Sequence, residues 1–185
     1  ACSVYGSQHL LDALYQAGEA EYALSLLTAT HDRSWAHMIY DVKSTITTEA
    51  WDNKYKENQD WNHAWGAAPA NIIPRGLMGL EPMQPGCAKM RIKPQLGNLE
   101  FAEIKHPTLR GPVLLRVEQS AAGRRLRLTL PAGMTAELHL AASDLAAIRE
   151  SDRMLAKNPH VVFSRLQDGC VVLDVESGSY FFQVN

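Results

Sequence analysis

The stretch "TITTEAWDNKYKENQDWNHAWG", residues 45–66, sets one glutamate between a threonine pair and a tryptophan, then packs Trp61, Asn62, His63 and Trp65 close together. Trp51, Trp61 and Trp65, three of the chain's four tryptophans, fall inside it. A carboxylate beside indoles has an apolar wall that tunes its proton affinity and a flat surface on which a sugar ring can rest. Enzymes that break glycosidic bonds use carboxyl pairs, one protonating the leaving oxygen while the other activates water or attacks the sugar carbon. Glu49 is a candidate for one member of such a pair. Asn62 and His63 each offer a donor and an acceptor to sugar hydroxyls. The same residues also fit a set of aromatic anchors that lock a loop onto helices, with Glu49 capping or salt-bridged and His63 a structural hydrogen-bonder. The chemistry of the residues alone leaves both readings open.

Other chemistries find less support. His9, His31, His37, His106, His139 and His160 show no paired spacing that suggests a metal site. Gly76 and Gly79 follow helical residues and form no phosphate-binding loop, and the strand-to-helix nucleophile elbow of a serine hydrolase is missing. Cys2, Cys87 and Cys170 are odd in number and widely spaced, which excludes a fully paired framework and predicts buried free thiols. A net charge of -2 over 185 residues leaves no basic footprint for nucleic acid or an anionic membrane. No apolar run is long enough to cross a bilayer. The densest basic run, "RRLR" at 124–127, alternates with leucines, so Arg125 and Arg127 are expected on one solvated edge, opposite Leu126 and Leu128.

The elements that must position Glu49 follow from periodicity. Residues 7–80 read as helical: in "SQHLLDALYQAGEAEYALSLLTAT", Leu10, Leu11, Leu14 and then Tyr22, Ala23, Leu26, Leu27 recur at three-and-four spacing. Gly18 marks the left-handed end of the first helix, making a short-linked hairpin. "WAHMIYDVK" reads as one or two further helical turns. Thr45, Ile46, Thr47 and Thr48 are β-branched, which puts Glu49 on an extended or loop segment. Asp60 is expected to cap a helix from Trp61, and Pro69 and Pro74 to break the helical path toward Gly79.

After "EPMQPG" the period changes to two. Eight short runs, from "MRIKP" to "SYFFQVN", predict an antiparallel β-sandwich, with "ASDLAAIRESDRMLAKNP" as a helical turn or long surface loop. The domain boundary is placed near Pro82 to Pro85, giving residues 1–82 and 83–185. The chain opens inside a helical pattern and without methionine, so residues are expected to precede it in the natural protein.

The order "VYGSQHLLDALYQAGEAEYALSLLT", "STITTEAWD", "DWNHAWGAAPANIIPRGLMGLEPMQPG" and "MRIKPQLGNLEFAEIKHPTLRGPV" resembles the C-terminal portion of bacterial α-L-rhamnosidases, glycoside hydrolase family 78. The resemblance covers essentially the whole chain. It implies an α+β multidomain fold: the last helices of an α/α six-hairpin toroid, then an antiparallel β-sandwich. It implies that Glu49 is the general base of an inverting hydrolysis and that His63 contacts rhamnose. Trp51 and Trp65 would be walls of the sugar pocket, with Asn62 beside them. No metal or organic cofactor is implied. The partners implied are a rhamnose-containing glycan or glycoside and the missing N-terminal part of the same enzyme. The general acid and further contacts would lie on upstream toroid helices, so this chain alone is expected to be inactive and its exposed helix faces to permit self-association. The alternative is a non-catalytic carbohydrate-binding or structural β-sandwich module, with Tyr180, Phe181 and Phe182 as candidate stacking residues of which at least part must be core.

Overall fold

The computed structural model describes residues 2–151, 153–155 and 158–185. The chain divides into two compact units, Ala1–Leu77 and Met78–Asn185.

The first unit is helical. Helix α1, Val4–Gln16, starts where the Ser3 hydroxyl accepts the Gly6 N–H at 3.0 Å. It ends at Gly18, φ 82°, where Glu19 N–H bonds Leu14 C=O at 2.9 Å and Gly18 N–H bonds Tyr15 C=O at 3.3 Å. That paired closure satisfies carbonyls the helix would otherwise leave open, and glycine adopts it without a Cβ penalty. Helix α2, Ala20–Leu27, completes the hairpin. The buried stripe is Leu11, Tyr15, Ala23 and Leu24, whereas Leu10 and Tyr22 of the expected set are exposed.

Helix α3, Trp35–Tyr40, is capped by the Ser34 hydroxyl. Helix α4, Ala68–Ile72, carries Pro69 in its first turn and passes directly into a π-turn, Ile73–Leu77. Pro74 has no N–H to give the carbonyl four residues back, so the chain widens its turn there. No helix begins at Trp61: residues 64–67 form a 3-10 turn, and Asp60 spends its backbone on Glu49 instead of capping.

The second unit is a two-sheet sandwich. One sheet has the order β1 (Leu80–Pro82), β2 (Lys89–Ile92), β6 (Thr135–Ala141), β10 (Cys170–Val175), β9 (Val161–Gln167). The other runs β3 (Phe101–His106), β4 (Val113–Ser120), β5 (Gly123–Leu130), β11 (Gly178–Val184), β7 (Ile148–Glu150), β8 (Arg153–Met154). Every pairing is antiparallel except β2 with β6. Strand β1 pairs with β2, so residues placed by sequence at the end of the helical region belong to this sheet. The irregular segment is a 3-10 turn, Leu145–Ala147, followed by the short β7–β8 pair.

Alternation decides which side chains meet between the sheets. Met90, Ile92, Leu138, Leu140, Val171 and Leu173 face Leu115, Val117, Leu126, Leu128 and Phe182, all fully or almost fully buried. Arg125 and Arg127 are exposed opposite Leu126 and Leu128. Their strand lies inside the sheet between β4 and β11, so they occupy a solvated face, not an edge. Tyr180 and Phe182 are 8% and 0% exposed and stack at 5.9 Å in the core, while Phe181 on the other face lies under Arg127. The trio therefore presents no open aromatic platform. On the outer face of β6, Glu137 ties two other strands by accepting from Lys89 at 2.9 Å and Arg165 at 2.7 Å. The three thiols are free, but only Cys170 is buried; Cys2 and Cys87 are half-buried.

Candidate active site

Everything around Glu49 is built within the helical unit. Residues 41–52 and 56–63 contain no helix or strand, yet they are held side by side. Glu49 N–H donates to Asp60 C=O at 3.0 Å, and His63 N–H donates to Thr47 C=O at 3.0 Å. The Thr47 hydroxyl donates to His63 C=O at 3.2 Å, and Ala50 N–H donates to the Gln59 amide oxygen at 3.0 Å. Thr48 is fully buried with its hydroxyl on Ala50 C=O. The β-branched run thus serves as a brace: polar groups that would disfavour helix satisfy the partner loop instead.

That brace aims the Glu49 side chain. Its carboxylate accepts from Asp60 N–H at 3.0 Å and pairs with Lys56 Nζ. Its side chain is 13% exposed. The Lys56 ammonium, the Asp60 amide and the neighbouring His63 hold the Glu49 carboxyl below the usual glutamate range. Hydrogen bonds and a cation that favour the charged form produce this direction, so Glu49 is an ionised acceptor at neutral pH.

The aromatic residues split into two roles. Trp51 is 6% exposed, with its indole N–H on Cys2 C=O at 2.9 Å. It meets Trp35 edge to face at 5.0 Å and packs with Val4 and Met38, so it is chiefly a core anchor, and the small part left open lines the same depression as Glu49 and Trp65. Trp35 in turn donates to Gly66 C=O at 2.7 Å. Trp65 is 38% exposed, its indole N–H reaching Glu49 C=O at 3.3 Å. His63 lies flat on Trp65, and its buried Nδ1 has no hydrogen-bond partner among the described residues. Asn62 and Trp61 are exposed beside it.

Four residues join the site that the sequence did not single out. Tyr5, on the first turn of α1, tilts against Trp65 at 5.1 Å. Arg33 sits over the Tyr55 ring at 4.2 Å. Lys56 completes the group, and all four line, with Glu49 and Trp65, a depression of about 470 Å³. Lys56 lies in a run that reads as a polar loop, and Tyr5 is far away in sequence; neither carries a local signal.

The Asp of the "TTEAWD" stretch has a different job. Asp52 receives Lys54 N–H at 3.1 Å and meets His37 Nε2 at 2.8 Å, while Asp41 meets His37 Nδ1 at 2.8 Å. His37 is thereby clamped between two carboxylates, chiefly Asp52, which raises its pKa above the ordinary value.

A helical-hairpin unit followed by a two-sheet sandwich is the arrangement of glycosidases built on six helical hairpins and closed by a β-domain. Residues 2–77 match the bacterial alpha-L-rhamnosidase 6 hairpin glycosidase domain, and residues 79–154 match the bacterial alpha-L-rhamnosidase C-terminal domain. The chain belongs to the bacterial α-L-rhamnosidase family. It is 29% identical to an alpha-L-rhamnosidase of Streptomyces avermitilis over 97% of its own length and 17% of the relative's. It is 30% identical to an alpha-L-rhamnosidase of an Alteromonas species over 71% of its length and 15% of the relative's. The crystal structure of Streptomyces avermitilis alpha-L-rhamnosidase complexed with L-rhamnose superposes with a TM-score of 0.81 at 28% identity, covering 97% of this chain and 17% of that one. The chain thus spans about a sixth of the length of these relatives.

Proposed function

We propose that this chain supplies the C-terminal part of an α-L-rhamnosidase acting by inversion, with Glu49 as its general base. The observation that carries the reading is the Glu49 carboxylate, held ionised by Lys56 and Asp60 N–H on the floor of a depression walled by Trp65 and Tyr5. A base must be ionised before the reaction and within one hydrogen bond of the water it activates. Inversion places that water between the base and the sugar carbon, with the acid on the opposite side of the ring about 6.5–9.5 Å from the base. The acid comes from the part of the enzyme outside this chain.

In this reading His63 and Trp65 meet the sugar, with the half-buried imidazole of His63 as a hydroxyl partner and the exposed indole as the apolar wall. Asn62 contributes from the exposed rim. Trp51 acts from beneath by fixing the loop. The helical unit closes the catalytic domain and the sandwich is accessory to it. The substrate is a glycoside or glycan ending in α-L-rhamnose.

Hydrolysis of an aryl α-L-rhamnoside tests this with the longer enzyme and its Glu49→Gln variant, and with this chain alone. The longer enzyme should lose about 10²–10⁴-fold in kcat on substitution, and the chain alone should be inactive. Near-normal turnover of the variant removes Glu49 from the role. Turnover by the chain alone that vanishes in its own Glu49→Gln variant means that both carboxyl groups reside here.

A further inference from the structure

In β4, β5 and β11 the residues turned toward the opposite sheet form three rows: Val113, Leu115, Val117, Gln119; Arg124, Leu126, Leu128, Leu130; and Gly178, Tyr180, Phe182, Val184. The rows are apolar or aromatic except where Gln119, Arg124 and Val184 meet at one end of the sandwich. A charged side chain at an inward position of a strand breaks the pattern that folds the sheet, and such breaks accumulate where a site is needed.

Arg124 is half-buried, and among the described residues no carboxylate lies within ion-pair distance of it. Its guanidinium donates to the Gln119 amide oxygen at 2.8 Å and, at 3.5 Å, to Pro94 C=O, both neutral. Among the described residues it makes no ion pair. Burial accordingly pushes its pKa down from the ordinary arginine value. A desolvated cation without a counter-charge is unfavourable, and the remaining N–H groups of the fork stay available. Its orientation is nevertheless fixed. The Gln119 amide donates to Gly97 C=O at 2.8 Å and Leu99 C=O at 2.7 Å, so the oxygen that holds Arg124 is itself held.

Two adjoining concavities of about 440 and 230 Å³ share Arg124, Gln119 and Ser120 among their linings. Asn98 adds an amide group to the larger one, Asn185 lines both, and Glu100 stands on the rim of the larger. Glu118 borders the smaller and is neutralised by Arg116.

We propose that this end of the sandwich is a binding subsite for a carboxylate-bearing sugar, a hexuronate, whose carboxylate pairs with Arg124 and whose hydroxyls meet Asn98, Ser120 and Glu100. The planar guanidinium matches a carboxylate through two parallel hydrogen bonds. The acidic rim accepts hydroxyl donors and tolerates a monoanion better than a phosphate dianion. This subsite lies wholly in the sandwich and is independent of the role given to Glu49.

The 185-residue chain, labelled with ¹⁵N, is titrated with D-glucuronate, D-glucose and inorganic phosphate, alongside Arg124→Gln and Arg124→Lys variants. Glucuronate should give saturable amide shifts at Ser120, Gly123 and Val184, and glucose none. Arg124→Gln should weaken glucuronate about ten-fold or more, the loss expected for a charge-assisted pair, and Arg124→Lys should weaken it less. Absence of saturable shifts with glucuronate, equal affinity in Arg124→Gln, or binding of phosphate without glucuronate overturns the proposal. If Arg124→Gln fails to fold, the lysine variant decides: unchanged affinity counts against the bidentate pair, and weakened affinity supports it.

Discussion

The imidazole of His63 stacks on the indole of Trp65, ring centroids 3.6 Å apart and planes 15° from parallel. Because the same indole reaches the backbone of Glu49, one side chain joins the exposed aromatic surface to the segment carrying the carboxylate. Replacing Trp65 by leucine should raise KM for an aryl α-L-rhamnoside about 2- to 13-fold in the longer enzyme, the range of an aromatic contact worth roughly 0.5–1.5 kcal/mol. A smaller change in kcat is expected. Steady-state kinetics separates the two, and a fall in kcat at constant KM would count against Trp65 as a binding surface.

Lys56 is the largest influence lowering the Glu49 pKa. If Glu49 is the base, the acid limb of the pH–rate profile follows its ionisation. Lys56→Met should move that limb to higher pH, because the carboxylate loses the cation that favours it, and Lys56→Arg should restore it. Profiles of kcat for the longer enzyme check this. An acid limb that stays in place in the methionine variant would show that Lys56 does not set the charge of Glu49.

The Asp41–His37–Asp52 clamp makes the helical unit pH-dependent. His37 is raised, so its contribution is complete below the ordinary histidine value near 6.5 and fades as pH rises through the folded-state value. Asp52 is lowered, chiefly by His37, so its contribution is present above the ordinary aspartate value near 4 and fades as pH falls through its folded value. The clamp is therefore strongest between about pH 4 and 6.5. Replacing His37 by glutamine should cost about 1–3 kcal/mol there, and less near pH 8.5. Urea melts of the chain and the variant at both pH values measure the difference, which should shrink at the higher one.

Gly66 sits beneath the brace that carries Glu49. A Cβ at this position would stand 2.7 Å from Thr48 O and 2.8 Å from Thr47 Cβ, inside contact distance of backbone that cannot swing away. Gly66→Ala should destabilise the helical unit by about 1–3 kcal/mol and displace the Glu49 loop. Thermal unfolding with amide spectra of Thr47, Thr48 and Glu49 tests it; an unchanged melting temperature with unshifted amides would mean that the loop is not seated on Gly66.

Much of the fold is legible without coordinates. Gly18 announces the end of α1, the β-branched residues before Glu49 exclude a helix there, and the period-two runs after residue 88 separate Leu126 and Leu128 from Arg125 and Arg127. Each depends on neighbours within a few residues, where backbone sterics and side-chain alternation act directly. The same locality explains the misses. Strand β1 is three residues long and exists only because β2 pairs with it, and β2 runs parallel to β6, a choice made by residues over forty positions away.

The candidate site divides along the same line. By itself the sequence determined that Glu49, His63 and Trp65 lie close along the chain and that Glu49 stands outside any helix, and its motifs carry the family to which the chain belongs; the helix it placed from Trp61 does not form. Only the tertiary structure decided that Trp51 is buried under that loop while Trp65 stays open, that Lys56 and Asp60 N–H engage the Glu49 carboxylate, and that Tyr5 arrives from α1. It also decided that Arg124 faces inward with a neutral partner. Burial and charge pairing are sums over neighbours brought together by folding, so they have no value until the chain has chosen which residues those neighbours are.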